Sequence, residues 1–159
     1  MKKYIIFLVA LFLIACEGNE PIPAYVDLGL PSGTMWKNVN EKNPKDENGF
    51  YTYDEANREF GTSLPNYEQM KELKDMCIWT WKKNGYQIVG LNGNHIFLPA
   101  EGIRDKEGVH AVGLYGDYWI WTNLKRVPPP DPKDLRFDST QVHIHWIDYP
   151  ASLSVRLVQ

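Results

Sequence analysis

The sequence predicts an α+β domain in which two helices pack on a mostly antiparallel, twisted sheet with long loops. Two capping patterns in the first half of the chain mark the starts of helices. Short apolar segments separated by asparagine and glycine turns fill the second half, which is typical of antiparallel strands. The 159 residues are 43% hydrophobic and 13% aromatic, which suits one domain with a sizeable core.

The folded part is expected to begin near Tyr25, because residues 25–28 can open a strand. Residues 30–34 contain a proline and a glycine and predict a turn before Trp36. Residues 38–49 are polar and interrupted by glycine and proline, so we expect a loop there.

Two helices follow, each with a start signal. Thr52 and Glu55 fit a capping box, in which each side chain accepts a hydrogen bond from the backbone of the other residue. Gly61 is the expected end of this first helix. Asn66 and Gln69 repeat the pattern and predict the start of a second helix.

One face of the second helix is predicted to be buried. Met70, Leu73 and Cys77 follow one another at the spacing i, i+3 and i+7, which places them on the same side of a helix. Cys77 is therefore expected to be a small buried apolar residue rather than a nucleophile.

The second half of the chain is predicted to be rich in strands. Asn84-Gly85 between two apolar segments is a strong hairpin signal, and Asn92-Gly93-Asn94 predicts a second turn. Residues 101–115 and 123–134 lack a helix or strand pattern and are expected to be the two longest loops of this half. The predicted strands cover residues 78–81, 86–91, 95–98, 117–122, 135–138, 142–149 and 153–158.

The first residues have the order of a bacterial lipoprotein signal peptide. Two lysines precede an apolar run over residues 4–15, which is shorter than the roughly 20 residues of a membrane-spanning helix. The run ends in Leu13-Ile14-Ala15-Cys16, which resembles a lipobox, where the cysteine is lipidated and becomes the mature N-terminus. We expect a signal peptide over residues 1–15, a tether over 16–24 and a domain over 25–159.

Lipidation of Cys16 predicts where the protein is located and that Cys77 is a free thiol. Acyl chains would hold the protein to a membrane of the bacterial cell envelope, with the outer membrane and the cell surface as the expected site. Cys77 would then be alone, so no intramolecular disulfide is expected. The formal net charge of −3 offers no basic excess for a phosphate backbone, which disfavours nucleic-acid binding.

Several motifs occur in one order between Tyr25 and Val158. They are Tyr25-Val26-Asp27-Leu28-Gly29-Leu30-Pro31-Ser32-Gly33-Thr34-Met35-Trp36, Leu64-Pro65, Cys77-Ile78-Trp79-Thr80-Trp81, Asn92-Gly93-Asn94-His95-Ile96-Phe97-Leu98-Pro99-Ala100, Gly116-Asp117-Tyr118-Trp119 and Ser154-Val155-Arg156-Leu157-Val158. This order resembles the Fibrobacter succinogenes major paralogous domain family of bacterial surface domains. The resemblance implies a C-type-lectin-like fold, also found in formylglycine-generating enzymes and some bacterial adhesin tips, but it implies little chemistry. The chain departs from the family where Ile120 and Trp121 replace small polar residues.

No catalytic site is predicted. Formylglycine-generating enzymes, which share the implied fold, use a pair of metal-binding cysteines, and Cys77 alone cannot form that pair. The sequence also lacks a Gly-x-Ser-x-Gly motif, a glycine-rich phosphate loop and a His-Glu-x-x-His motif. We expect a protein that is not an enzyme and has no cofactor.

No metal site is predicted either. His143 and His145 would share one face of a strand, but zinc needs at least a third ligand, and Asp148 would point to the other face. The hydrophobic residues at positions 142, 144 and 146 are expected to face the core. Oxygen ligands suited to calcium lack a recognised calcium-loop spacing. These are Asn92, Asn94, Asp105, Glu107 and Asp117.

A ligand is expected to bind at the two long loops, because long loops in compact domains often carry function. Arg104 and Asp105 can hydrogen-bond polar groups, and Tyr115 can stack on a ring. Trp121 either contributes a stacking face or fills core volume. The sequence thus favours a non-catalytic binding module for a glycan, a peptide or a protein partner. The alternative is a structural role as a tip or accessory component of a surface assembly.

Overall fold

The structure is a computed structural model that describes residues 24–123, 132–147 and 150–159. These residues contain two α-helices, α1 (Tyr53–Phe60) and α2 (Tyr67–Met76), and a short 3₁₀ helix (Gly61–Ser63). The strands, in chain order, are β1 (Tyr25–Asp27), β2 (Met35–Lys37), β3 (Tyr51–Thr52), β4 (Ile78–Lys82), β5 (Gly85–Val89), β6 (His95–Pro99), β7 (Ile103–Asp105), β8 (Gly108–His110), β9 (Gly116–Ile120), β10 (Lys133–Phe137), β11 (Val142–Trp146) and β12 (Ser152–Leu153).

The strands form four small sheets rather than one continuous sheet. Their strand orders are β1-β2, β4-β5-β6, β11-β10-β9 and β3-β12-β7-β8. Within the described ranges, every pairing between these strands is antiparallel. The predicted α+β class with two helices and mostly antiparallel strands is therefore confirmed.

Both helices begin at the predicted caps. Thr52 Oγ1 accepts a hydrogen bond from the Glu55 amide at 3.3 Å, and the Glu55 carboxylate accepts one from the Thr52 amide at 3.0 Å. Asn66 and Gln69 make the same reciprocal pair at 3.0 and 2.9 Å. Gly61 caps the end of α1 with a φ of 51°, a conformation that glycine adopts without steric cost. Local hydrogen bonds thus determine where each helix starts.

The sheet β9–β10–β11 separates two hydrophobic cores. Directly opposed residues of antiparallel strands share a face, so Tyr118, Leu135 and Ile144 lie on one side of this sheet. That side contacts α2 and the sheet β4–β5–β6 in the first core. Trp119 lies on the opposite side, in the second core. The second core also contains Tyr51, Tyr53, Ala56, Leu64, Ile147, Leu153, Val155 and Leu157.

The predicted first hairpin is present, but its turn lies one residue earlier than expected. Lys82 pairs with Gly85, which leaves Lys83 and Asn84 as the two turn residues. Gly85 is instead the first residue of β5, where a Cβ would collide with the carbonyl oxygen of Leu98 on the neighbouring strand. The glycine is needed for close strand approach rather than for the turn itself.

The prediction of an unbroken loop over residues 101–115 is wrong. This segment contains β7 and β8, a hairpin that adds two strands to the sheet of β3 and β12. Each of these strands has only three residues, too few to show an alternating apolar pattern. At the C-terminus the predicted strand 153–158 is reduced to β12 and isolated bridges at Ser154, Val155 and Val158.

Several predictions fall on residues that the structure does not describe. The signal peptide over residues 1–15, Cys16 and most of the tether lie outside the described ranges, as do residues 124–131 of the second predicted loop. Asp148 also lies outside them. Among the helices that are described, none has the length and hydrophobicity needed to cross a membrane.

The first prediction concerns the buried face of α2. Leu73 is fully buried in the first core, whereas Met76 on the same helix is exposed. Replacing Leu73 with Ala should therefore lower the free energy of unfolding by about 2–5 kcal/mol. The matched change Met76→Ala should alter it by no more than about 0.5 kcal/mol. Urea denaturation followed by tryptophan fluorescence measures both, and equal losses would contradict this assignment of the buried face.

Candidate functional site

The polar residues expected to contact a ligand already contact other residues of the protein. Arg104, in β7, forms an ion pair with the buried carboxylate of Asp46. Asp105 accepts a hydrogen bond from the Glu107 amide at 2.7 Å and contacts His110 Nε2 at 3.0 Å. These contacts order the β7–β8 hairpin and attach it to the loop after β2, so both side chains have a structural role.

The four predicted ligand-binding residues do not form one site. Tyr115 directly precedes β9, and Trp121 directly follows it. Six residue steps along an extended strand span roughly 20 Å, at about 3.3 Å per residue. Arg104 and Asp105 lie near the Tyr115 end, because Gly102 forms a bridge with Gly116. The structure therefore does not bring all four residues together at one point, and a role for them in ligand binding stays a prediction.

Trp121 combines the two roles that the sequence left open. Its side chain is partly buried against the second core. Its backbone amide donates a hydrogen bond to the Pro65 carbonyl at 2.8 Å, which places it beside the start of α2. It also lines a surface groove of about 300 Å³. One part of the indole therefore fills space in the interior while another contributes to a concave surface.

This groove, which we call the aromatic groove, lies between the start of α2 and the ends of β9, β10 and β11. Lys133 is its central feature, because the Nζ atom lies 4.1 Å from the centroid of the Tyr67 ring and 4.0 Å from that of the Trp146 ring. Both distances are well within the range of a cation–π interaction. The residues that line the groove are Asn66, Tyr67, Glu68, Trp121, Thr122, Asn123, Lys133 and Trp146.

The strand register explains the exposure of Trp146. It was expected to face the core with its neighbours at 142 and 144, which do pack against the first core. Trp146 instead pairs with Lys133 as the last pair of the β10–β11 ladder, and 59% of it is exposed. It lies beyond the edge of the first core, where its ring and the ring of Tyr67, at the start of α2, both contact Lys133. The expectation that Trp146 is a core residue is therefore wrong.

The aromatic groove contains charged groups of both signs. Within the described ranges, Lys133 forms no ion pair and contacts the two aromatic rings instead. Glu68 is exposed on the first turn of α2, on the helical side of the groove. The lining thus offers flat apolar faces together with a hydrogen-bond donor and an acceptor. Such a surface is suited to binding a polar ring without chemical change.

The two strand histidines lie on the opposite face of the same sheet. Their imidazole rings stack with centroids 5.5 Å apart, and the register places His145 opposite Asp134 and His143 opposite Arg136. Among residues 24–123, 132–147 and 150–159, no group of three or more histidine, cysteine or acidic side chains is arranged to hold a metal ion. The side-chain amides of Asn92 and Asn94 in the turn after β5 donate from Nδ2 to the Asp27 carbonyl at 3.0 and 2.8 Å.

A buried acidic pair, Asp117 and Asp134, lies on this histidine-bearing face. Asp134 is 0% exposed, and its carboxylate oxygens accept no hydrogen bond from an N–H group of the described residues. Arg136 donates from Nε to Asp117 at 2.9 Å and lies 3.6 Å from Asp134. Burial raises the pKa of Asp117 to about 8, and the charge of Asp134 adds to the rise while Arg136 opposes it. The raised pKa therefore favours the protonated form of Asp117 at neutral pH.

Cys77 follows α2 and is partly buried against the first core. Burial raises the pKa of its thiol to about 11, and the nearby charge of Glu72 acts in the same direction. The thiol is therefore protonated and weakly nucleophilic at neutral pH. This agrees with the expectation of an apolar rather than a reactive cysteine, although the side chain is less buried than the helix pattern suggested.

No protein-family model, curated protein or solved structure matches this chain. The geometry of the aromatic groove is therefore the main indication of what the protein does. Sequence inspection missed the groove because Tyr67 is separated by more than sixty residues from Lys133 and Trp146. The available signal was Trp146 itself, a large aromatic residue next to His145 within the predicted strand 142–149.

The second prediction tests the raised pKa of Asp117 and the contribution that Asp134 makes to it. Because the folded-state pKa of Asp117 lies above its unfolded value of 3.8, the stability that this group contributes is complete below about pH 4. That contribution is lost as the pH rises to about 8. In Asp134→Asn the amide can donate to Asp117 permanently, so the variant should lose less stability between pH 5 and 8. The difference in slope should be roughly 1 kcal/mol per pH unit.

Urea denaturation at several pH values measures this difference. Glu107→Gln, which neutralises an exposed acid in the β7–β8 turn, is the matched control and should follow the pH profile of the unmodified protein. If Asp134→Asn also follows that profile, Asp134 does not contribute to the raised pKa of Asp117.

Proposed function

We propose that the protein is a non-catalytic binding module, held at the bacterial cell envelope by lipid on Cys16, that binds a ligand in the aromatic groove. In this proposal the domain adopts the C-type-lectin-like arrangement implied by the family resemblance. The outer membrane and its outward-facing surface are the proposed location. The mixed α+β architecture and the four short antiparallel sheets are compatible with such a scaffold.

The observation that carries this proposal is the exposure of two aromatic rings on either side of Lys133. Large aromatic side chains are normally buried, because each can remove a large apolar area from water. Leaving Trp146 and Tyr67 at the surface gives up that stabilisation, which favours a role outside folding. Their faces can stack on a sugar ring or a peptide aromatic group, while Lys133 and Glu68 can hydrogen-bond its substituents.

The position of Lys133 restricts the class of ligand. Its ammonium group already occupies the space between the two rings, where a cationic ligand would otherwise bind. A positively charged ligand would be repelled by this group. We therefore expect a ligand whose ring carries neutral or negatively charged polar groups.

The third prediction tests the aromatic groove with arrayed oligosaccharides and arrayed peptides as probes. The unmodified full chain should bind members of one array, and Trp146→Ala and Lys133→Ala should each weaken binding at least tenfold, or about 1.4 kcal/mol. Because both side chains lie at the groove surface, the melting temperature of each variant should stay within a few degrees of the original.

Exposed residues elsewhere provide matched controls for these variants. Tyr115→Ala and Lys82→Ala remove an aromatic ring and an ammonium group outside the groove, and both should retain binding. Full binding by both groove variants would overturn the site. If no array member binds but an envelope protein co-purifies with the chain, the accessory role in a surface assembly replaces ligand binding as the better proposal.

The fourth prediction concerns the lipid anchor. Replacing Cys16 with Ser removes the thiol that would be acylated, so the protein should leave the membrane fraction or remain unprocessed. Fractionation of cells followed by mass spectrometry of the N-terminus measures both effects. Cys77→Ser is the control, and it should remain in the membrane fraction. A Cys16→Ser protein that is processed and fractionates normally would show that the anchor is wrongly assigned.

A further inference from the structure

One loop of the protein presents apolar side chains to solvent. It covers residues 111–115, between β8 and β9, and we call it the apolar loop. Val112 is 65% exposed, Leu114 is 64% exposed and Tyr115 is 41% exposed. Three large apolar side chains within four residues are more than the scattered exposure that is normal for a soluble surface.

The apolar loop is held in one conformation by its backbone. The Ala111 carbonyl accepts hydrogen bonds from the amides of Leu114 and Tyr115 at 2.9 and 3.0 Å. The Gly113 amide donates to the Ala100 carbonyl at 2.7 Å. Ala111 has a φ of 58°, and in the described ranges it is the one residue other than glycine in this strained region. The fold therefore maintains the exposed conformation at an energetic cost, which indicates a function.

The apolar loop lies at the same end of the domain as the start of the folded chain. The Asn38 amide donates to the Ala24 carbonyl at 2.9 Å, and two residues later the Asn40 side chain donates to Glu101 at 2.8 Å. Glu101 stands between Ala100 and Gly102, whose backbones hold the apolar loop on either side. A short path of contacts thus joins the point where the tether enters the domain to the apolar loop.

The aromatic groove lies at the opposite end. The strand β9 begins immediately after the apolar loop and leads to Trp121 in the groove. The five residue steps from Gly116 to Trp121 span roughly 17 Å at about 3.3 Å per residue. The domain therefore has one end with the tether and exposed apolar side chains and another with a polar, aromatic surface.

We propose that the apolar loop inserts its side chains into the lipid bilayer to which Cys16 anchors the chain, so that the aromatic groove faces away from the membrane. This inference rests on the proposed lipid anchor. Eight residue steps lead from Cys16 to Ala24, and an extended chain of that length reaches at most about 29 Å. The anchor therefore keeps the apolar loop close to the bilayer and at high effective concentration. A tyrosine beside two aliphatic residues also suits the boundary between lipid and water.

The test uses the full acylated chain reconstituted in vesicles of phosphatidylethanolamine and phosphatidylglycerol. In a Cys77→Ala background, a nitroxide is attached to Val112→Cys, or to Ile78→Cys as the control. Ile78 is also exposed, but it lies at the far end of the β4–β5–β6 sheet, since its partner Val89 pairs with His95 rather than Pro99. Collision rates with oxygen and with a water-soluble nickel complex then report whether each nitroxide lies in lipid or in water.

A loop in the bilayer gives position 112 an oxygen-to-nickel collision ratio at least roughly threefold above that of position 78, because oxygen concentrates in lipid and nickel does not. Adding Leu114→Asp should bring the two ratios together, since a buried charge is unfavourable. The inference would be overturned if positions 112 and 78 had equal collision ratios in the chain that keeps Leu114. It would also be overturned if protein shielded the nitroxide at position 112 from both reagents. If mass spectrometry finds no acyl chain and the protein does not bind the vesicles, both the lipid anchor and this inference are wrong. If the chain is acylated and bound to the vesicles but the apolar loop is exposed to water, only this inference is wrong.

Discussion

The buried guanidinium of Arg156 determines how distant parts of the chain meet. Arg156 is almost completely inaccessible to solvent, and burying a charge without partners costs several kcal/mol. It donates to the Asn40 side chain at 2.9 Å and to the carbonyl groups of Lys37 and Phe97 at 2.7 Å each. These acceptors belong to β2, the loop after it and β6. The fold must bring all three to the C-terminal segment, because any displacement leaves a buried donor unpaired.

Glu101 connects the hydrogen-bond network of Arg156 to the end of the domain that carries the apolar loop, which we propose faces the membrane. Its carboxylate accepts hydrogen bonds from Asn40 at 2.8 Å and from Ser154 at 2.9 Å. The Tyr118 hydroxyl donates to the Pro99 carbonyl at 2.8 Å and accepts from Asn40 at 3.0 Å. Polar contacts thus hold residues 99–101, the segment next to the apolar loop, in place. A loop on such a base can expose apolar side chains without collapsing onto the core.

The sequence predicts those features whose cause is local. Thr52 with Glu55 and Asn66 with Gln69 satisfy backbone groups within one helical turn, so the pattern alone locates both helix starts. The strand β7 could not be located in this way, because its three residues are too few to show alternation, and the sheet that it joins is defined by pairing with β12, about fifty residues away. The same reason hides the ion pair between Arg104 and Asp46, which gives a predicted ligand-binding residue a structural role.

The aromatic groove shows why a candidate site is harder to predict than a core. Trp146 lies on the apolar face of its strand, and sequence alternation assigns it to the interior along with residues 142 and 144. Whether such a residue is buried depends on where the opposing layer ends, which alternation does not report. The core ends before the Lys133–Trp146 pair, and Tyr67 supplies a second ring rather than a covering layer. The Lys133 ammonium group lies 4.1 and 4.0 Å from the centroids of the two rings, so a charged group stands where a covering layer of apolar side chains would otherwise pack.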